Sequence, residues 1–415
     1  MSSTSLKVAW LLPVAWYYWQ PALSLLTQLL PETRILTALW PGYTQGFEDT
    51  LNIQVVGRWK VLRPHEEGQG YGPSFTYVPL SVVGPLLRFR PQVVFTNAFG
   101  LWTLLAVTLK PLFRWRVVIA YEGSSPGVDF RHSPLRLILR RAMVALADAV
   151  ISNSQAGRAY LVEVLKAPAD RAFAHPYEVP APESLAGSIP EPVKTPIPAI
   201  EAAAPVEKPL TFLFVGRLRP RKGLRMLLEA TARLKQAGSD RVVIRVVGDG
   251  EEQAALQALS QELGLEDWVE WLGRVPYEVL SQHFKAADVF VLPTYEDTWG
   301  VVISEAMLLG KAILCSSAAG AAELVVHGTN GYVFDPHRPE ELATWMETFV
   351  TAPEQAAIMG QHSQQIMERY TPAAAAQFYL RVIHRVLTPT LAASLPTPEA
   401  EPISAPDGPC SIKEV

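Results

Sequence analysis

A chain of 415 residues that is 49% hydrophobic has enough apolar material for two ordinary cores, and a single domain of this length would be unusual. Its two cysteines, Cys315 in an apolar strand pattern and Cys410 near the end, exclude a disulfide framework and fit a reducing cytosol. No apolar run reaches the ~18 residues needed to cross a bilayer, and the start of the chain lacks the small-residue cleavage site of a signal peptide, so a cytoplasmic location is expected.

In chain order, strand patterns at 7–12, 34–39, 93–96, 116–120 and 149–153 alternate with helical patterns at 21–30, 101–109, 135–147 and 155–165, followed by an extended piece at 172–176. Short apolar strands between helices predict a parallel, doubly wound sheet for residues 1–178. The net charge of −4 is uneven: residues 1–178 carry 17 Lys plus Arg against 11 Asp plus Glu, which leaves −10 for the rest. Arg131, Arg136, Arg140 and Arg141 accompany Leu135, Leu137, Ile138 and Leu139 on one basic, apolar helix. That helix either lies on an anionic membrane leaflet or packs on its own domain with its arginines in water, and the second reading is preferred.

From 179 to 208 the sequence turns into Pro, Ala and Glu, which reads as a linker, and the Pro- and Ser-rich end at 389–415 reads as a disordered tail. Between them the strand and helix alternation repeats over 209–370, and a final helix is expected at 371–388.

The second half carries the chemistry. A strand at 212–215 runs into Gly216-Arg217-Leu218-Arg219-Pro220-Arg221-Lys222-Gly223 and then a helix, an arrangement that makes a phosphate cradle. Arg217 offers a planar fork for two phosphate oxygens and Lys222 a compact point charge, so both are predicted to hold a diphosphate. A solvated basic turn is the competing reading of this loop. After a strand at 243–247, Gly248-Asp249-Gly250 lacks the third glycine of a dinucleotide fingerprint and fits a structural turn better. The loop at Gly273-Arg274-Val275 either presents backbone groups to a nucleobase or simply joins a strand to a helix. After a strand at 289–292, Glu296, Asp297, Gly300, Val301, Val302 and Glu305 open a helix. Gly300 lets backbone approach a ligand, the helix start favours an anion, and the carboxylates accept bonds from hydroxyls. Together these features describe a site for a sugar nucleotide.

The order of these motifs resembles that of the retaining GT-B glycosyltransferases of the group-1 (GT4) family. The resemblance runs from Gly216-Arg217 and Lys222-Gly223 through Val246 to Gly250, Leu272 to Val275 and Ala287 to Pro293. It continues through Asp297, Glu305 and Gly310 to Glu323 and Gly328-Thr329-Asn330-Gly331. It implies two Rossmann-like domains facing each other across a cleft, with the final helix returning to the first.

The resemblance also implies roles: Arg217 and Lys222 on the donor's diphosphate, Glu305 on the ribose, and Asp297 or else Glu296 on the donor sugar. Gly216, Gly248, Arg274, Val275, Gly300, Val301 and Val302 would line the nucleotide. Where relatives place a histidine after the fourth strand, this chain has Tyr121-Glu122-Gly123, so Glu122 is the substitute contact. Residues 13–20 are aromatic where relatives are glycine-rich.

The implied reaction moves a sugar from a nucleoside-diphosphate donor to a lipid-linked or saccharide hydroxyl, with retention, without metal or other cofactor and with no nucleic-acid partner. The competing functions are a catalytically silent sugar-nucleotide binder and a GT-B epimerase.

Overall fold

The computed structural model describes residues 6–62, 70–71, 75–181, 185, 209–239 and 242–388. The tail expected at 389–415 and nearly all of the expected linker lie outside the described residues.

The first domain contains β1 (Val8–Val14), β2 (Thr33–Leu39), β3 (Ile53–Val55), β4 (Lys60–Leu62), β5 (Phe75–Tyr77), β6 (Val93–Asn97), β7 (Arg116–Tyr121), β8 (Ala149–Ser152) and β9 (Ala172–Ala174). Seven of these form one sheet in the order β3-β2-β1-β6-β7-β8-β9, and β4 pairs only with β5 as an antiparallel hairpin. Every pairing in the large sheet is parallel, which requires crossovers and puts helices on both faces. The central strand β1 is accordingly a continuous apolar run, buried from Val8 to Leu12. Strands β3, β4 and β5, three residues each, carry too little periodicity to be seen in sequence.

The second domain contains β10 (Leu210–Val215), β11 (Val242–Val247), β12 (Val269–Gly273), β13 (Val289–Leu292), β14 (Ala312–Ser316) and β15 (Gly331–Phe334), all parallel, in the order β12-β11-β10-β13-β14-β15. Strand order reverses between β1 and β6 in one sheet and between β10 and β13 in the other, and ligands of open α/β sheets bind at such reversals. Phe212 of β10 lies beside Val289 of β13, so the basic loop after one strand and the acidic loop after the other leave the sheet side by side.

The last helix, Pro372–Leu387, packs on the first domain. Its Tyr379 meets Trp10 of β1 edge-on at 4.9 Å, while Trp10 stacks on Phe95 of β6 at 4.2 Å. The helix amphipathicity that made this segment legible thus serves the domain farthest from it in sequence.

Where the two domains meet, carboxylates of the second accept from backbone N–H groups of the first. Glu323 accepts from the N–H groups of Gln155 and Ala156, both at 2.8 Å, while Ser154 caps Gly157 at the same helix start. Glu296 accepts from Tyr71 N at 2.6 Å and from Gly127 N at the start of the turn Pro126–Asp129. Between these contacts the loop after β7 presses on the acidic loop so closely that a Cβ on Gly123 would lie 2.0 Å from Thr298 O.

These bonds bridge the two domains. Replacing Glu296 and Glu323 together by alanine is expected to raise the radius of gyration measured by small-angle X-ray scattering while far-UV circular dichroism stays unchanged. An unchanged radius would show that the domains close without these carboxylates.

Candidate functional site

The basic loop after β10 reaches its position through a glycine. Pro220–Lys222 forms a single 3-10 turn, and Gly223, at φ +67°, starts the helix Leu224–Gln236 in the left-handed region. A Cβ on Gly223 would sit 1.9 Å from Pro293 O at the end of β13, so only glycine allows the two loops to touch. The contact is then fixed by Tyr295 N and Thr294 Oγ1, which donate to Arg221 O at 2.7 and 2.8 Å.

This juxtaposition makes an ion cluster. Lys222 Nζ donates to Asp297 Oδ2, Arg221 lies 4.0 Å from the same oxygen, and Tyr71 OH donates to Oδ1 at 3.4 Å. Arg221 also donates to Glu296 O at 3.0 Å and stacks its guanidinium over the Tyr71 ring at 4.2 Å. Asp297 is 6% exposed. Burial pushes its carboxyl up, but Lys222 and Arg221 outweigh it and hold the group below the usual carboxylate range. Two cations against one carboxylate leave this corner net positive, as a diphosphate requires.

Gly300, at φ +94°, caps the helix Val301–Leu308, and no side chain caps its first N–H groups. Val301 and Val302 sit half-buried in that first turn. One turn on, Glu305 is buried and accepts from Tyr277 OH at 3.0 Å. Burial raises its carboxyl to about 7, and hydrogen bonds from Tyr277 and Tyr17 pull it back only in part. Tyr17, from the aromatic segment after β1, packs against Tyr277 with the rings tilted and their centroids 4.8 Å apart, and with Tyr18 and Thr44 these groups line a small hollow at Glu305.

Not every expected residue joins the cluster. Arg217 points to solvent, 54% exposed, and pairs with Asp249 at 2.9 Å, so Arg221 stands where the fork of Arg217 was expected. Gly216 donates to Val247 O at 3.0 Å, and a Cβ on Gly248 would lie 1.8 Å from Gly216 O, so both pack the base of the loop. Arg274 is exposed and Val275 half-buried ahead of Tyr277. Glu296 spends both carboxylate oxygens on first-domain backbone, which leaves Asp297 as the carboxylate that faces the cations. Glu122 accepts from Asn97 Nδ2 at 2.9 Å; burial raises its carboxyl, and the Asp297 charge adds to the effect.

The cluster also contains Arg221, Tyr71 and Tyr277, which the sequence reading did not single out, and Tyr17, which lies in the aromatic segment noted there.

The model of the family "Glycosyl transferases group 1" matches residues 198–366, and that of the "Glycosyl transferase 4-like domain" matches residues 25–178. A D-inositol 3-phosphate glycosyltransferase 2 from Catenulispora acidiphila is 31% identical over 183 residues, covering 41% of this chain and 43% of the relative. An uncharacterized glycosyltransferase of Methanocaldococcus jannaschii is 34% identical over 131 residues, 32% of this chain and 33% of its own length. The chain thus spans less than half the length of these curated relatives. Among solved structures, Anabaena HepE in complex with UDP aligns with a TM-score of 0.67 at 20% identity, over 91% of this chain and 100% of that one. Sucrose-phosphate synthase from Thermosynechococcus elongatus aligns with a TM-score of 0.67 at 19% identity, over 92% and 100%. With its two parallel Rossmann-like sheets and both halves matched, the chain has the GT-B fold and belongs to the group 1 (GT4) glycosyltransferase family.

Proposed function

We propose that the protein transfers a hexose from a nucleoside-diphosphate sugar to a hydroxyl acceptor on a lipid-linked or saccharide precursor, with retention at the anomeric carbon. The observation that carries this reading is the convergence of Lys222, Arg221 and the uncapped helix start at Gly300 beside Asp297, with Glu305 one turn farther along the same helix. As the donor's anomeric bond breaks, charge builds on the departing diphosphate, where Lys222, Arg221 and the leading amides already stand. Asp297 keeps these cations ordered while the site is empty and accepts hydrogen bonds from donor-sugar hydroxyls once phosphate takes over Lys222. Glu305 receives the ribose. The cationic groups supply the charge neutralisation that a divalent ion would otherwise bring, which supports metal independence. A similar fold holds UDP and UDP-glucose in Anabaena HepE, and this makes uridine donors the first to try.

The acceptor is proposed to come from an anionic membrane surface, against the packed-helix reading preferred from sequence. The helix Pro134–Leu146 leaves Leu135 78% and Ile138 63% exposed, and Leu112 at the end of Leu101–Phe113 is 73% exposed. Arg136 and Arg141 stand on the same helix as Leu135 and Ile138, and exposed apolar side chains together with cations are the combination that an anionic leaflet takes up.

Three outcomes test this reading. Lys222→Ala should lower turnover of the accepted donor by about 10²- to 10³-fold in buffer containing EDTA, with the melting temperature within a few degrees of wild type. Turnover close to wild type would remove Lys222 from the mechanism.

Glu305 gives a pH signature. Its carboxyl ionises near 4.5 in the unfolded chain and near 7 in the folded one, so the unfolded state sheds its proton first as pH rises. The folded state therefore loses stability between about 4.5 and about 7, and Glu305→Gln should flatten that decline in a series of thermal melts. An equal decline in the variant would place the titration elsewhere.

Vesicles containing phosphatidylglycerol should pull down the wild-type protein at low salt, and Leu135→Ser with Ile138→Ser should cut the bound fraction at least fivefold. Equal binding by the variant would move the docking surface away from this helix.

A further inference from the structure

The loop that follows β7 reaches the second domain at two glycines. Gly127 donates its N–H to Glu296 Oε1, and a Cβ there would lie 2.8 Å from both Glu296 Oε2 and Tyr71 O. Gly123 is the residue pressed against Thr298 O. Glu296 and Thr298 flank Asp297, so the first domain touches the acidic loop on either side of the carboxylate that meets Lys222.

One buried carboxylate, Asp129, gives this loop its shape. It is 1% exposed, its Oδ1 accepts from Tyr121 OH at 2.6 Å, and its Oδ2 accepts from Ser124 Oγ at 2.7 Å. The end of β7 and the middle of the loop are thereby tied to the turn Pro126–Asp129. Arg131 Nε adds a charge-assisted bond to Oδ2 at 2.9 Å, and the Asp129 carbonyl accepts from Tyr160 OH at 2.6 Å and from Arg140 at 2.9 Å. The next residue, Phe130, stands at φ +52°, which a bulky side chain adopts only where its surroundings impose it, and the Arg136 guanidinium lies over its ring at 3.8 Å. A loop between a strand and a helix is ordinarily among the more mobile parts of a fold. Side-chain bonds to its start, middle and end remove that freedom here.

We propose that Asp129 is a positioning residue for the transfer reaction: by fixing residues 121–129 it presents Gly123 and Gly127 in one arrangement, and so seats the loop that carries Asp297 against the first domain. The proposal rests on the sugar-nucleotide reading above. Asp129 touches none of the reacting groups and acts through two backbone contacts. Lys222, Arg221 and the helix start at Gly300 all belong to the second domain, so loss of Asp129 disturbs transfer, which needs both domains, and spares the grip on a bare diphosphate.

Two measurements on the full-length protein test it, with the variants Asp129→Asn, Ser124→Ala and Tyr160→Phe. Ser124→Ala removes the bond to the middle of the loop alone, whereas Tyr160→Phe removes a bond to Asp129 from outside the loop and controls for plain loss of stability. In hydrogen–deuterium exchange without ligand, peptides spanning 122–128 and 294–300 should exchange about fivefold faster in Asp129→Asn and about twofold faster in Ser124→Ala, with the peptides of β1 and β10 as in wild type. Unchanged exchange at 294–300, a rise across the whole first sheet, or an equal rise in Tyr160→Phe would each overturn the proposal. The second measurement follows diphosphate release from UDP-glucose, GDP-glucose and ADP-glucose. For the conjugate that wild type turns over fastest, kcat in Asp129→Asn should fall about 10-fold or more while the affinity for the matching bare diphosphate, from isothermal titration, stays within about twofold. A kcat close to wild type, or an affinity that falls along with it, would overturn the assignment. Failure of wild type to release diphosphate from any of the three would instead defeat the sugar-nucleotide reading, and the exchange result would still decide whether Asp129 seats the acidic loop.

Discussion

The contact between Lys222 and Asp297 is the point on which the rest of the site depends. It joins the loop after β10 to the loop after β13, and it can form only because those strands are neighbours in the sheet and because Gly223 has no Cβ to strike Pro293. A buried ion pair is weak evidence for stability, since desolvation consumes most of the Coulomb gain. Here the carboxylate is shared by two cations, so one positive charge is left uncompensated in a place where water is scarce. Holding unbalanced charge there makes sense when an anion is due to arrive. Electrostatic stabilisation of a leaving group is strongest when the cations are already ordered, and Asp297 orders them.

Closure of the cleft uses a different economy from the site it encloses. The second domain supplies carboxylates, Glu296 and Glu323, and the first answers with backbone N–H groups at Tyr71, Gly127, Gln155 and Ala156. Backbone amides carry no formal charge, so each of these bonds has an ion on the second-domain side alone, whereas a salt bridge would bury two. Glu296 illustrates how adjacent acidic residues divide labour: it reaches outward to the first domain, while Asp297, the next residue, turns toward Lys222.

What could be read in advance follows from which interactions are local. The parallel sheets were legible because a strand buried on both faces is an apolar run, as in Val8 to Leu12, and the loops after β10 and β13 stood out because their glycines, cations and carboxylates are written within a dozen residues. Which arginine of the loop after β10 lies beside Asp297 was not legible: Arg217 pairs with Asp249 at the surface, while Arg221 stacks over the ring of Tyr71. Tyr71 is more than 200 residues away from Glu296 and Asp297, which it touches in the second domain, and nothing in its own neighbourhood marks it.

The carboxyls of the cleft sort themselves by the company they keep, and this sorting links structure to chemistry. Asp297 stays ionised because two cations outweigh its burial, whereas Glu305 and Glu122 are pushed toward the neutral form chiefly because burial is answered only by hydroxyl and amide donors. A nucleotide sugar presents the complementary gradient: doubly anionic at the diphosphate, neutral and rich in hydroxyls at the ribose and at the sugar. A carboxyl poised near neutrality can donate to a hydroxyl oxygen when protonated and accept from a hydroxyl when ionised, so it fits a polyol in either state, while it would oppose a second phosphate once ionised. The arrangement thus fixes which end of the ligand goes where before any contact specific to a base or a sugar is made.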